Sequence, residues 1–156
     1  MDKNALTLYA VTDRAWTGDL CRDVEAAIRG GATFVQIREK ELGYEEFLAE
    51  AKRIVAICRA HGVPCVINDN VDVAIASGAA FATGTKEGAK PIGPEGIGRV
   101  ARAVSIPVVA IGGISRGNIG QLSGLGLAGV AVVSAIFAQP DIEAAARELR
   151  ALAERL

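Results

Sequence analysis

Cysteine and aromatic residues are scarce in this sequence, and long apolar runs are absent. Aromatic residues make up 4% of the 156 residues, and the three cysteines, Cys21, Cys58 and Cys65, are widely spaced with no CxxC pair. Such cysteines indicate small buried thiols in a reducing compartment, not a disulfide framework or a thiolate metal site. No apolar stretch approaches the roughly 18 residues that a membrane-spanning helix requires.

Strong net charge and a targeting segment are lacking as well. The formal net charge is −1, whereas a nucleic-acid-binding protein usually carries a basic surplus or stripe. The first residues, MDKNALTLYAV, have neither the basic start nor the long apolar stretch of a signal peptide. We therefore expect a cytoplasmic protein that binds neither membrane nor nucleic acid.

Small and branched apolar residues are abundant, and they occur in alternating segments. Hydrophobic residues make up 51% of the chain, whose length suits one domain spanning residues 1–156. Short β-branched runs alternate with longer helical patterns, which predicts an α/β protein with a parallel sheet. The predicted strands are Leu6–Thr12, Thr33–Ile37, Pro64–Ile67, Ile106–Ile111 and Gly129–Val133. The predicted helices are Leu20–Arg29, Tyr44–Ala60, Val71–Ser77, Pro94–Val104, Asn118–Leu125 and Asp141–Leu156.

The spacing of these strands is uneven. Between the strand that starts at Pro64 and the one that starts at Ile106, the chain holds two predicted helices and a loop but no complete strand. The segment Ala79-Ala80-Phe81 is a candidate remnant of one. Five strands are clear, whereas a (β/α)-barrel needs about eight to close, so the anomaly indicates that strands are missing from this interval.

Polar residues follow the second predicted strand. Gln36, Arg38 and Lys40 alternate along it and just past it, and a period of two places them on one face. Two cations and an amide at a strand exit favour a phosphate or pyrophosphate site. An ordinary solvated edge is the alternative, since Glu39 and Glu41 offset the positive charges.

Asn68 and Asp69 follow the third predicted strand. An acid near phosphate-binding residues suggests a Mg²⁺ ligand, because Mg²⁺ prefers carboxylate oxygens and bridges phosphates. The alternative is an N-cap for the helix that starts at Val71. From the residues alone the cap is the favoured interpretation.

Three later segments have the composition of anion-binding loops. Thr83-Gly84-Thr85-Lys86 offers hydroxyls and a cation without the spacing of a Walker A loop, so a plain polar loop is the default and closure over an anion the alternative. Gly112-Gly113 lies between a strand and a helix, and Val133-Ser134 ends the last strand. Loops after the last two strands bind phosphate in many (β/α)-barrels, and backbone N–H groups supply the donors.

Other candidate motifs are better explained by structure. Gly124, Gly126 and Gly129 match G-x-G-x-x-G but precede a strand instead of following one, so they indicate a helix end and a tight turn and not a dinucleotide site. His61 lies at the end of a predicted helix and suits a capping role. No Ser/His/Asp or Cys/His group is evident, and we assign no catalytic residue.

The strand-exit motifs, taken in order, resemble the thiamine phosphate synthase family. The matching stretches cover most of the chain and are LYAVTD, GGATFVQIREK, VPCVINDNVDVAIASGA, FATGTKEGAKPIGPEGI, IPVVAIGGIS and GVAVVSAIF. The resemblance implies a TIM (β/α)₈-barrel type of fold, shortened here to about five β/α units. It also implies a transferase that joins a hydroxymethylpyrimidine pyrophosphate to a thiazole phosphate, with Mg²⁺ as cofactor, giving thiamine phosphate and pyrophosphate.

The resemblance also implies roles for individual residues. Gln36, Arg38 and Lys40 match the pyrimidine and pyrophosphate site, Asn68 matches a pyrimidine contact, and Asp69 matches a Mg²⁺ ligand. Loop residues that reach the thiazole phosphate and the pyrophosphate correspond to Thr83, Thr85 and Lys86. The thiazole phosphate site corresponds to Gly113 and to the backbone of Val133 and Ser134.

The chain departs from the family between Ala80 and Phe81. The family continues there with further β/α steps that include a second Mg²⁺-ligating Asp and a serine that contacts pyrophosphate. An internal deletion of the gene product, an engineered deletion, or a sequence joined across a missing stretch would each explain the gap. A shortened chain could form an open flavodoxin-like sheet or a homo-oligomer that covers its edges. A thiazole tautomerase-like relative and an inactive phosphate-binding remnant are the alternative functions.

Overall fold

The computed structural model describes residues 3–70, 72–73, 77, 81–83 and 93–156 of the chain. Among these residues there are six strands: β1 (Leu8–Val11), β2 (Phe34–Ile37), β3 (Cys65–Asn68), β4 (Phe81–Thr83), β5 (Val109–Ile111) and β6 (Gly129–Val132). The α-helices are α1 (Leu20–Gly30), α2 (Tyr44–Ala60), α3 (Gly93–Ala103), α4 (Ser134–Phe137) and α5 (Ile142–Ala153). Short 3₁₀ helices span Lys3–Leu6, Arg14–Trp16 and Ile119–Leu122.

All strand pairs are parallel, and the sheet has the order β4-β3-β2-β1-β6-β5. Strand β1 pairs with both β2 and the last strand, β6. The strands of a (β/α)-barrel follow the same cyclic order, and in this sheet the two ends of the order are β4 and β5. A flavodoxin-like sheet has the order 2-1-3-4-5 instead. The five strands predicted from the sequence are all present. Strand β4 shares only Phe81 with the predicted remnant Ala79-Ala80-Phe81, whose first two residues lie outside the described part of the chain.

The two faces of the sheet differ in composition. One face packs against the helices and is apolar, because alternate strand residues such as Leu8, Val35, Ile67 and Val130 point into one hydrophobic core. The opposite face bears Tyr9, Phe34, Gln36 and Asn68, whose side chains contact one another. This period-two division places apolar residues under the helices and leaves polar residues on the face that a barrel encloses.

Local sequence signals account for the helix ends. Asp19 caps α1 by accepting a hydrogen bond from the Arg22 N–H at 3.1 Å, and Gly31 ends that helix with a left-handed φ of 115°. Asp141 caps α5 in the same way, accepting from the Ala144 N–H at 2.9 Å. As predicted, His61 is the C-cap of α2, and its Nε2 lies 3.3 Å from a Glu25 carboxylate oxygen.

Several predicted bounds are wrong. The helix predicted over Asn118–Leu125 is only a 3₁₀ helix over Ile119–Leu122, since glycine disfavours helix and two glycines that follow, Gly124 and Gly126, have left-handed φ values. The strand predicted from Ile106 starts at Val109, two residues after Pro107, which lacks the N–H that a strand ladder needs.

The first predicted strand starts at Leu8, because residues up to Leu6 form a 3₁₀ helix. The helix predicted over Val71–Ser77 lies largely outside the described residues. No helix in the described part of the chain combines the length and apolarity needed to cross a bilayer.

Candidate functional site

The C-terminal ends of the six described strands lie at the same edge of the sheet, because the strands are parallel. The register aligns Val11 with Gln36 and Ile111 with Ala131, so the ends of neighbouring strands are level. Asn68 is likewise aligned with Thr83. Most of the residues predicted to bind substrate or metal lie at this edge or in the loops beyond it.

A row of hydrogen-bonded polar side chains crosses three strands at this edge. The Tyr9 hydroxyl donates to Gln36 Oε1 at 3.0 Å, and Gln36 Nε2 donates to Asn68 Oδ1 at 2.7 Å. Asn68 Nδ2 in turn donates to Asp69 Oδ2 at 2.6 Å. The hydrogen-bond partners of each amide determine which way its oxygen and nitrogen point. The row therefore has one direction of donors and acceptors, and it ends at the Asp69 carboxylate.

Tyr9 anchors the apolar end of this row. Its ring stacks on Phe34 with centroids 4.5 Å apart and an interplanar angle of 11°. Burial raises the pKa of the Tyr9 hydroxyl to about 12, because the phenolate form would be poorly solvated. Tyr9 therefore stays a neutral donor at physiological pH and fixes the Gln36 amide.

Asn70 caps the helical residues that follow. The Val73 N–H donates to Asn70 Oδ1 at 3.0 Å, which is the hydrogen bond of a helix N-cap. Asp69 adopts a left-handed φ of 62°, and among the described residues it is the one non-glycine with a positive φ. The strained backbone places its carboxylate beside Asn68 at the strand exit.

Arg38 is fixed through both its backbone and its side chain. Its N–H donates to the Thr12 hydroxyl at 2.9 Å, and Thr12 is fully buried. Its guanidinium forms an ion pair with Asp13 at 3.0 Å, with the Arg38 side chain 28% exposed. A half-exposed guanidinium at the strand exit is accessible to an anion from solvent.

The alternation of Gln36, Arg38 and Lys40 does not continue as strand structure. Strand β2 ends at Ile37, so Arg38 and Lys40 lie in the following loop. Lys40 is exposed, and its backbone N–H donates to Glu39 Oε1 at 2.8 Å. The period-two argument therefore places only Gln36, and the loop conformation places the two cations.

The glycine pair after β5 leaves its backbone open. Gly112 and Gly113 both have left-handed φ values, 112° and 62°, and a Cβ added at either would meet no atom within 4 Å. Asn118 orders the loop, since its side chain donates to the Gly113 carbonyl at 2.9 Å and accepts from the Ser115 N–H at 2.8 Å. Open backbone of this kind allows a ligand to approach closely.

Val133 and Ser134 lie beside this glycine pair at the end of β6. Ser134 is the first residue of α4, and its side chain is exposed. Val133 precedes that helix, and its carbonyl accepts the Ile136 and Phe137 N–H groups at 3.1 and 2.9 Å. The first N–H groups of a helix have no partner inside it and point away from its start.

The predicted loop of Thr83, Thr85 and Lys86 is described only at its start. Thr83 is the last residue of β4, level with Asn68 in the register. Thr85 and Lys86 lie outside the described residues.

A groove of about 460 Å³ lies next to the site, between the loop after β5 and the helices that follow β6. Its lining includes Ser115, Arg116 and Gln139 but none of Gln36, Arg38 or Asn68. The groove is thus adjacent to the glycine loop and does not contain the polar row, and the polar row is the better guide to chemistry.

Five residues that fix the site have no role in the sequence prediction: Tyr9, Thr12, Asp13, Arg14 and Glu39. Tyr9, Thr12 and Asp13 belong to the stretch LYAVTD at the exit of the first strand. A polar residue at a buried strand end was the available signal for Thr12. No sequence signal distinguishes the buried Glu39 from the exposed Glu41.

A family model described as thiamine monophosphate synthase matches the chain over residues 8–80 and 75–136. The two matched segments overlap at residues 75–80, inside the interval in which strands were predicted to be missing. The match covers the polar row, the Arg38 loop and the loops after β5 and β6.

Relatives with assigned names agree with this match. A thiamine-phosphate synthase from Chloroflexus aurantiacus is 37% identical over 197 aligned residues, covering 93% of this chain and 91% of that protein. A chloroplastic thiamine biosynthetic bifunctional enzyme from Arabidopsis thaliana is 36% identical over 92% of this chain, which spans only 38% of that longer protein. The 197 aligned positions exceed the 156 residues of the chain, so the Chloroflexus protein has residues without counterpart here.

Solved structures give the same result for the fold. A thiamine phosphate pyrophosphorylase from Pyrococcus furiosus superposes with a TM-score of 0.87 at 28% identity and 97% coverage of each chain. The (S)-3-O-geranylgeranylglyceryl phosphate synthase of Thermoplasma acidophilum superposes with a TM-score of 0.68 at 10% identity, which indicates a shared fold alone. The predicted fold class is confirmed.

Proposed function

Because the chain belongs to the thiamine monophosphate synthase family, we propose that it joins a hydroxymethylpyrimidine pyrophosphate to a thiazole phosphate. The products are thiamine phosphate and pyrophosphate. The observation that carries the proposal is the oriented polar row from Tyr9 to Asp69 at the same sheet edge as the open glycine loop after β5.

The pyrimidine and its pyrophosphate are assigned to the exits of β2 and β3. The amides of Gln36 and Asn68 are oriented side by side and suit the alternating donors and acceptors of an aminopyrimidine edge. Arg38 and Lys40 follow in the loop and supply positive charge for the pyrophosphate. In this assignment Arg38 exchanges its Asp13 partner for the incoming anion.

Asp69 is proposed as the Mg²⁺ ligand of this chain. Its carboxylate lies at the exit of β3, where Oδ2 accepts from Asn68 Nδ2 at 2.6 Å, and Asn70 makes the cap hydrogen bond to the Val73 N–H. No group of three or more His, Cys, Asp or Glu side chains suited to a metal occurs among the described residues. One carboxylate is nevertheless compatible with Mg²⁺ when substrate phosphates and water complete the coordination. Bound there, the ion would neutralise charge that develops on the departing pyrophosphate.

The thiazole phosphate is assigned to the loops after β5 and β6. Gly113 supplies open backbone, and the start of α4 at Val133 and Ser134 supplies N–H groups. Thr83, Thr85 and Lys86 are proposed to contact the two phosphorylated groups from the β4 side.

The reaction needs positioning and charge stabilisation more than proton transfer. The bond between the pyrimidine methylene carbon and the pyrophosphate oxygen breaks, and its electron pair leaves with the pyrophosphate. The lone pair of the thiazole nitrogen then forms the new carbon–nitrogen bond. Arg38 and Lys40 stabilise the leaving charge, and the oriented amides keep the pyrimidine aligned with the thiazole.

The gap next to Ala80 limits this activity. The missing segment would include a second Mg²⁺-ligating Asp and a serine that contacts pyrophosphate. We therefore expect binding of both substrates but turnover far below that of a complete relative. All three cysteines are free thiols. A cytoplasmic location and a single domain over residues 1–156 remain predictions.

Calorimetric titration tests the proposal. The purified chain, verified by intact mass, is titrated with thiazole phosphate and with hydroxymethylpyrimidine pyrophosphate, each with and without Mg²⁺, and thiamine phosphate is measured by mass spectrometry. We expect both ligands to bind, with pyrophosphate-ester binding dependent on Mg²⁺. Asp69→Asn should lose that Mg²⁺ dependence, whereas Asp72→Asn, which neutralises an exposed acid close by, should keep it.

The alternatives give different results in the same experiment. Binding of thiazole phosphate alone would indicate a tautomerase-like relative. Binding of neither ligand would indicate an inactive remnant, and turnover as fast as that of a complete relative would contradict the expected effect of the gap.

A further inference from the structure

Glu39 is a buried acid in a loop of exposed charges. It lies between Arg38 and Lys40, where a solvated carboxylate is expected, yet its side chain is only 2% exposed. Glu41, two residues later, is exposed. The chain thus turns one of two neighbouring carboxylates inward, and the contacts of Glu39 explain why.

One carboxylate oxygen of Glu39 accepts three consecutive backbone N–H groups. Glu39 Oε1 lies 2.8 Å from the Lys40 nitrogen, 2.7 Å from that of Glu41 and 3.3 Å from that of Leu42. Three donors on one oxygen fix the backbone directly after Arg38. The loop after β2 therefore wraps around the Glu39 side chain.

The other oxygen of Glu39 connects this loop to two further elements. Glu39 Oε2 accepts from Arg14 Nε at 2.8 Å, and a terminal nitrogen of Arg14 lies 2.6 Å from Glu50 of α2. The Glu50 side chain is 9% exposed. Arg14 belongs to the loop after β1, so these three residues tie the exits of two adjacent strands to a helix.

The ionisation of Glu39 agrees with these contacts. Burial by itself would raise the pKa of Glu39, but hydrogen bonds from the Glu41 N–H and from Arg14 outweigh burial, and the net shift lowers the pKa. Glu39 is therefore an anion at neutral pH. An anion this close to a pyrophosphate site repels the ligand, so its presence there requires another explanation.

We infer that Glu39 is a positioning residue, which orders the loop after β2 so that Arg38 and Lys40 face a bound pyrophosphate. Arg14 and Glu50 complete the arrangement by holding the Glu39 carboxylate in place. The inference rests on the proposed function, because the anion that the loop receives is the pyrophosphate of that reaction.

The sign of one binding change separates positioning from simple electrostatics. Glu39→Gln and Glu41→Gln each remove one negative charge from the same loop, and both variants are titrated with inorganic pyrophosphate and Mg²⁺. Electrostatics alone predicts that both variants bind pyrophosphate more tightly than the unaltered chain does. Positioning predicts that Glu39→Gln binds roughly tenfold more weakly, because charge-assisted hydrogen bonds that order the loop are lost, while Glu41→Gln binds as well as the unaltered chain or better.

Hydrogen exchange supplies a readout that needs no ligand. The backbone amides of Lys40, Glu41 and Leu42 should exchange faster in Glu39→Gln than in the unaltered chain. In Glu41→Gln their exchange rates should be the same as in the unaltered chain. If Glu39→Gln does not fold, as judged by circular dichroism, Glu50→Gln replaces it, because that change weakens only the anchor of Arg14. A smaller loss of pyrophosphate affinity is then expected.

Two failures are distinguishable. If the unaltered chain binds pyrophosphate and the Glu39 and Glu50 variants bind it equally well or more tightly, the positioning role is overturned and the proposed function stands. If the unaltered chain binds neither pyrophosphate nor thiazole phosphate, the proposed function fails and the positioning role fails with it.

Discussion

At the scale of single residues, three consecutive residues at the end of β3 show how the tertiary structure assigns a different role to each side chain. Asn68, Asp69 and Asn70 are chemically similar and are all acceptable helix caps. Only the structure divides their roles: Asn68 joins the polar row, Asp69 ends it, and Asn70 caps the helical residues. The backbone decides the outcome, because the left-handed φ of Asp69 turns successive side chains in different directions.

Tyr9 gives a residue-scale prediction on pH. Its pKa is raised from 10.0 to about 12 by burial, so between these values the unfolded chain loses a proton that the native chain keeps. Its contribution to stability is fully present below pH 10 and is lost as pH rises through about 12. Tyr9→Phe should abolish this alkaline loss, as measured by urea unfolding at a series of pH values.

The control for that measurement is Tyr44→Phe, since the Tyr44 ring is 46% exposed. It should retain the alkaline loss of the unaltered chain. An identical pH dependence for Tyr9→Phe and the unaltered chain would contradict the burial of the Tyr9 hydroxyl.

At the scale of elements, α1 and α5 pack against each other beneath β1. A Cβ added to Gly30 would lie 2.3 Å from the Glu143 carbonyl oxygen and 2.6 Å from the Ala146 Cβ. The close approach of these helices therefore requires glycine at position 30. The sequence pattern predicted both helices but not this contact, since glycine near a helix end is first explained as a stop signal.

Gly30→Ala should separate the two helices. We expect a loss of about 1–3 kcal/mol in the free energy of unfolding, as for other overpacked sites, measured by chemical denaturation. Gly120→Ala is the matched control, because a Cβ there meets nothing within 4 Å; it should leave stability unchanged or raise it by up to about 1 kcal/mol. Equal stability of the two variants would refute the close contact.

At the scale of the whole molecule, the open ends of the sheet order and the gap in the sequence lie at different places. Strand β3 pairs directly with β4, and β4 and β5 lie at the two ends of the sheet order. The Chloroflexus relative has residues without counterpart in this chain, and the two segments of the family match overlap at residues 75–80, before β4. The chain thus keeps the exits of the strands on which most of the proposed substrate contacts lie and lacks residues that this relative carries.

Insertion of the relative's segment between Ala80 and Phe81 tests this account. We expect the chimera to form thiamine phosphate at least about a hundredfold faster than the unaltered chain, since it regains charge-stabilising groups that act on the leaving pyrophosphate. A Gly/Ser insert of equal length is the control and should give no increase. A folded chimera with unchanged turnover would show that the segment does not limit activity.

Alternation and composition were enough to predict the α/β class, the five main strands and the exits where polar residues lie, because strand and helix periods are local properties of the chain. Resemblance added the family. Glu39 could not have been assigned in this way, because a charged residue in a strand-exit loop has the same local signature whether it is buried or exposed.

The sequence by itself determined which segments are strands, which residues follow them, and that an interval was too poor in strands. Tertiary structure alone decided the direction of the Asn68 amide, the left-handed backbone of Asp69, and the burial of the Glu39 side chain. The physical reason is that burial and hydrogen-bond partners come from residues distant in sequence, such as Arg14 for Glu39 and Tyr9 for Gln36, and no local pattern encodes them.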